Sequence, residues 1–264
     1  MHEPAPSALS APAAFLPKEH GSWSLVLEPL ALGLLVAPSF AGGALATAAF
    51  AGFLARRPLK AALAPAATPP RDAARRTVLM FSSLVLAGFL ETLGFAGWAP
   101  LWPLVLAAPL GALFAWFDAQ GDSRAAAAEV AGSAAFALVP AALATLAGWT
   151  PASALALAGL ALARSVPTVL IVRTYLRTRK GLSAGAFPAL AAVTLALVFI
   201  GALSHWQLVP PVAIVLGVLL WARGCWLVSA FRPTWSARRV GLLEAGLGTI
   251  QVGALAAAYT GFHP

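Results

Sequence analysis

The chain has 264 residues, 60% of them hydrophobic and 10% charged, with a formal net charge of +8. A soluble domain is nearer a quarter charged, so this chain cannot cover a water-facing surface and reads as an integral membrane protein, not a nucleic-acid binder. Its one cysteine, Cys225, excludes an internal disulfide and any cysteine cluster for a metal, and reads as a small core residue.

Residues 1–16 are rich in Ala and Pro and carry no Lys or Arg. A secretory signal needs a basic segment before its apolar core. The expectation is therefore a disordered, retained tail, with residues 17–264 forming a single transmembrane helical domain. The tail meets the first apolar run at Pro17-Lys18-Glu19-His20-Gly21-Ser22-Trp23. Three groups that can carry charge stand side by side there, next to a tryptophan suited to a water–lipid boundary.

A spanning helix needs roughly 20 mostly apolar residues. Nine candidates follow in order: 21–38, 41–57, 77–97, 100–117, 125–148, 152–176, 184–204, 208–230 and 240–261. The breaks carry turn chemistry, as at Pro38-Ser39, Gly97-Trp98-Ala99-Pro100, Gly148-Trp149-Thr150-Pro151 and Pro210-Pro211. The fold class expected is all-α: a polytopic membrane bundle of nine helices. The longest connection, 58–76, holds Pro58, Pro65, Pro69 and Pro70 and is not expected to form one helix.

Charge tests this count. With nine spans, the tail, the even-numbered loops and the span ends beside them hold 15 of the 17 basic residues, and the opposite side holds none. The other two, Arg164 and Arg223, fall inside helices. Excess Lys and Arg marks the cytoplasmic side. The chain is thus expected with its N-terminus inside and its C-terminus outside. Trp23, Trp98, Trp102, Trp149 and Trp206 near helix ends suit interfacial belts in contact with membrane lipid.

An ionisable residue at membrane depth costs about 3 kcal/mol at the centre on insertion scales, so each such residue needs a partner. Glu28 lies near the middle of the first span and Arg164 near the middle of the sixth. Equal depth and opposite sign predict that they pair or share a polar cavity, and Pro29 and Pro167 free backbone carbonyls nearby. On the sixth helix Arg164, Thr168 and Tyr175 fall on one face, with Arg173, Arg177 and Lys180 on a second. Glu91 and Gln251 are weaker candidates. Glu129 and Glu244 read as residues of helix starts, where the helix dipole favours negative charge.

At the cytoplasmic ends, Glu19 and His20 are expected to converge with Arg56, Arg57, Arg173 and Arg177. So many cations call for an anion, supplied in part by Glu19 and in part by a ligand; a histidine, whose unperturbed pKa is near ~6.5, could move protons at His20. The alternative is that the arginines only anchor the bundle to anionic headgroups. Asp118 and Asp122 form a pair of loop carboxylates, too few on their own for a cation site. There is no Ser-His-Asp order, phosphate-cradling glycine loop or Cys/His cluster, and neither a metal nor a cofactor is implied.

The run Pro17-Lys18-Glu19-His20-Gly21-x-Trp23, with Arg56-Arg57-Pro58-Leu59 and the basic run from Arg173 to Gly181, resembles the YwiC-like family of bacterial integral membrane proteins. That resemblance names a family without naming an activity. In architecture the nine helices, with functional-looking loops 2–3 and 6–7 on one face, resemble the UbiA superfamily of intramembrane prenyltransferases. Those enzymes hold Mg²⁺ and a diphosphate on aspartate-rich motifs in those two loops. Here the same loops are basic, with Asp72 alone in the first and no carboxylate in the second. The function expected is a cytoplasm-facing intramembrane cavity for an anionic or amphipathic small molecule, possibly in a divergent UbiA-like transferase. The alternatives are a small-anion transporter or exporter, and an accessory subunit of a membrane complex.

Overall fold

The apolar runs form helices throughout the computed structural model, which describes Phe15, residues 20–63 and residues 71–262, with the side chains of residues 20–22 excepted. The tail therefore lies outside the described residues apart from Phe15, which is buried. Ten α-helices follow: α1 (His20–Val36), α2 (Phe40–Leu63), α3 (Arg71–Ala96), α4 (Trp102–Ala119), α5 (Ala126–Ala137), α6 (Val139–Leu146), α7 (Pro151–Arg179), α8 (Phe187–His205), α9 (Val212–Val228) and α10 (Ala237–Tyr259). A short 3₁₀ turn, Ala99–Leu101, leads into α4. No strand occurs among the described residues.

One expectation changes. The fifth span is not one helix but two, α5 and α6, which meet at Leu138. Pro140 lies at the break: it has no N–H to donate and its ring crowds the carbonyl one turn back. The backbone closes the gap with tighter bonds, Leu138 N–H to Ala135 O at 3.3 Å and Ala141 N–H to Leu138 O at 3.1 Å. The connection over 58–76 is not one helix, as expected, but it is helical at both ends, with residues 64–70 outside the described residues. α2 runs through the buried Pro58 to Leu63, and α3 begins at Arg71.

Among the described residues, six stretches are long and apolar enough to cross a membrane: Arg71–Ala96, Ala99–Ala119, Ala126–Leu146, Pro151–Arg179, Phe187–His205 and Ala237–Tyr259. Trp23–Val36 and Val212–Val228 are apolar but shorter. Large apolar side chains lie bare on the outside, among them Phe40, Phe95, Val105, Leu195 and Val215. So much exposed hydrocarbon suits lipid and not water.

Contacts between helix ends give the rods alternating directions. At one end Arg56 meets Asp118, Arg173 meets Glu129, and Tyr175 donates to Pro233 O and Trp235 O. At the other, Thr145 donates to Pro100 O, and the Trp149 and Tyr259 rings stand 5.5 Å apart. The first end is thus the basic one. α7 and the α5–α6 rod lie at the centre of the bundle: 61% of the most apolar stretch of each is buried, against 17% for α3 and 11% for α4 at the periphery. Thr150 caps the start of α7 by accepting from Ser153 N–H, and Gly181, in the left-handed region at φ 71°, turns the chain away just after its end. The main core surrounds Leu157, Leu160, Ile200, Leu203 and Leu255.

Candidate functional site

Four helices each place one charged side chain at the same depth. Glu28 lies eight residues into α1, about 12 Å along the axis, and Glu244 lies seven residues into α10, about 10 Å along. Arg164 is at the centre of α7, and Arg223 is in the second half of α9. Arg164 Nε stands 3.3 Å from Glu28 Oε2, so the pair expected from depth and sign is in contact.

Glu244 is the hub. Its Oε2 takes Arg164 Nη1 at 3.0 Å, its Oε1 takes Arg223 Nη1 at 2.7 Å, and its backbone carbonyl accepts from Arg164 Nη2 at 2.7 Å. Thr168, one turn beyond Arg164, has its hydroxyl oxygen between the two guanidiniums, 3.0 Å from Arg164 Nη1 and 3.1 Å from Arg223 Nη2. Two guanidiniums and two carboxylates cancel in charge. This is how such groups become tolerable at membrane depth, where an unpartnered charge is far more costly. Arg164, Arg223 and Glu244 are almost fully enclosed; Glu28 is the outermost member, with its side chain 19% exposed.

Gly248 makes room for Glu28. A Cβ at that position would overlap the Glu28 carboxylate, so the carboxylate rests against the bare backbone of α10. Beyond it, α1 and α10 leave a groove of about 360 Å³ lined by Trp23, Ser24, Leu27 and Glu28 on one side and by Gly241, Leu242, Ala245 and Thr249 on the other. Leu27 and Leu242 are exposed, so the groove opens sideways. Trp23, expected as an interfacial anchor, is braced from the other side by Phe50 at 6.1 Å and Phe53 at 5.9 Å.

The remaining expected site residues divide. Glu19 lies outside the described residues, and His20 opens α1 with no described side chain. Arg56 and Arg173 end on different carboxylates. Arg56 forks onto Asp118, with Nε to Oδ2 at 3.0 Å and Nη2 to Oδ1 at 2.9 Å, and its guanidinium lies over the Phe114 ring. Lys60 adds a bond to Asp118 Oδ1 at 3.3 Å. Asp118, first weighed as half of a cation site, is thus the counter-charge of α2. Arg173 reaches Glu129 Oε2 at 3.0 Å and Arg124 O at 2.7 Å. These two pairs clamp the α4–α5 connection between α2 and α7. Arg57 is half-buried in the last turns of α2, and Arg177 donates to Ser183 O at 3.3 Å.

The sequence reading missed Arg223 and Glu244 as members of the site. Glu244 was read as a helix-start residue, but α10 begins at Ala237, and two turns of helix carry Glu244 into the bundle. Its depth is the signal that should have placed it with Glu28 and Arg164.

Residues 16–144 match the YwiC-like protein family. The YwiC-like region covers α1 to α5 and most of α6, and contains Glu28, Arg56, Asp118 and Glu129. Arg164, Arg223 and Glu244 lie beyond it. No curated protein and no solved structure matches the chain, so the UbiA-like arrangement has no structural relative behind it.

Proposed function

We propose that this YwiC-like protein is a multi-pass protein of the bacterial cytoplasmic membrane whose α1–α10 groove binds an amphipathic small molecule. Nine spans, with the N-terminus inside and the C-terminus outside, put the basic end in the cytoplasm; the one-sided distribution of Lys and Arg supports this. The observation that carries the binding reading is Glu28. It is a carboxylate at membrane depth, on the floor of a sideways-opening groove with mostly apolar walls. A few convergent polar groups in a largely apolar recess are the usual makings of a small-molecule site.

Of the two ligand classes expected, the amphipathic one is better supported than a free anion. Arg164 and Arg223 are matched by Glu28 and Glu244, and Arg56 and Arg173 by Asp118 and Glu129. Native mass spectrometry of the protein released from mild detergent tests the reading. The expected result is a bound amphiphile that is lost in Ala245→Leu, which fills the groove without touching a charge. Equal occupancy in both proteins would contradict it.

A further inference from the structure

The groove is asymmetric in charge, and this fixes the kind of head group it takes. Among the described residues, Glu28 is the one charged residue in its lining; Arg164 and Arg223 are enclosed by the bundle. Glu244 holds both guanidiniums and is the more firmly committed carboxylate. Glu28 has one ion-pair contact, with Arg164 Nε at 3.3 Å, and a side-chain hydrogen bond with Ser24. A head group entering past Leu27 and Leu242 therefore meets a carboxylate first. It also meets Trp23, whose indole lines the same groove and can hold a cation by its face. Ser24, one turn before Glu28, adds a hydroxyl oxygen.

We infer that the groove selects a lipophilic ammonium compound, its cationic head on Glu28 and Trp23 and its apolar part along Leu27, Leu242 and Ala245. This rests on the binding reading above and adds the sign of the ligand's charge. The cation shares Glu28 with Arg164, which keeps its bonds to Glu244 and Thr168. An anionic head in the same place would face the Glu28 carboxylate, with no cation among the described lining residues.

The experiment compares decyltrimethylammonium with decyl sulfate, probes of equal chain length, by equilibrium binding to the full chain in nanodiscs of neutral phosphatidylcholine. The ammonium probe is expected to bind at least about tenfold more tightly than the sulfate, a difference of about 1.4 kcal/mol. Glu28→Gln should erase that preference, and Ala245→Leu should weaken the ammonium probe with every charge in place. The second variant keeps the test decisive if the first does not fold. Tighter binding of the sulfate, sensitive to Ala245→Leu, would overturn the cationic head and leave the groove standing. Binding of both probes unchanged by Ala245→Leu would overturn the groove itself.

Discussion

At the scale of single residues, the four-charge network is not shared evenly. Glu244 serves two guanidiniums, while Glu28 touches one and is partly exposed. Glu244→Ala should therefore destabilise the protein by roughly 3–5 kcal/mol, because it strands two buried cations. Glu28→Ala should cost less. Thermal unfolding of both variants in one detergent checks the order; equal losses would mean that Glu244 is not the hub. At the basic end, Arg56→Lys keeps the charge but loses the fork onto Asp118. The pair is partly exposed, so the loss should be about 1 kcal/mol and should match that of Asp118→Asn. How much of this was legible differs by residue. Glu28 and Arg164 could be matched from the sequence, because depth and sign are linear properties. Arg56 with Asp118, and Arg173 with Glu129, could not be. Choosing among several loop carboxylates needs the packing of α2, α4, α5 and α7, which no spacing along the chain encodes.

At the scale of elements, the fit of α1 against α10 depends on one small residue. Gly248→Ala would push a methyl group into the Glu28 carboxylate. The helices must then part or the ion pair must shift, at a cost of about 1–3 kcal/mol. Gly246, two residues earlier in α10, has nothing within contact distance of a built Cβ. Gly246→Ala should be neutral or stabilising by up to ~1 kcal/mol, through helix propensity alone. Opposite signs in the two melting shifts are the expected result; similar shifts would mean that α1 does not lie on Gly248. Proline was a mixed guide at this scale. Pro140 falls at the break in its span, whereas Pro29, Pro109 and Pro167 lie inside continuous helices. Pro58 was read as the start of a connection, yet α2 runs through it. The helix accepts the missing bond there, and the next turn gains the Lys60 contact with Asp118.

At the scale of the whole molecule, an all-helical membrane protein was legible from the sequence, because its apolar runs of roughly 20 residues suit helices, which satisfy their own backbone in lipid. The break between α5 and α6 does not disturb the alternation of directions, since the two halves still run as one rod from the basic end to the other. We propose that this bundle crosses the membrane nine times, with its basic end in the cytoplasm and the Glu28–Arg164–Glu244–Arg223 network between the two faces. The most direct test is labelling of single cysteines by a membrane-impermeant maleimide, in a Cys225→Ser background, from either side of the membrane. Lys180 follows α7 at the basic end, and Thr260 follows α10 at the other; both are exposed. Lys180→Cys should react only in inverted vesicles, and Thr260→Cys only in intact spheroplasts. Labelling of both from the same side would contradict the nine-span arrangement.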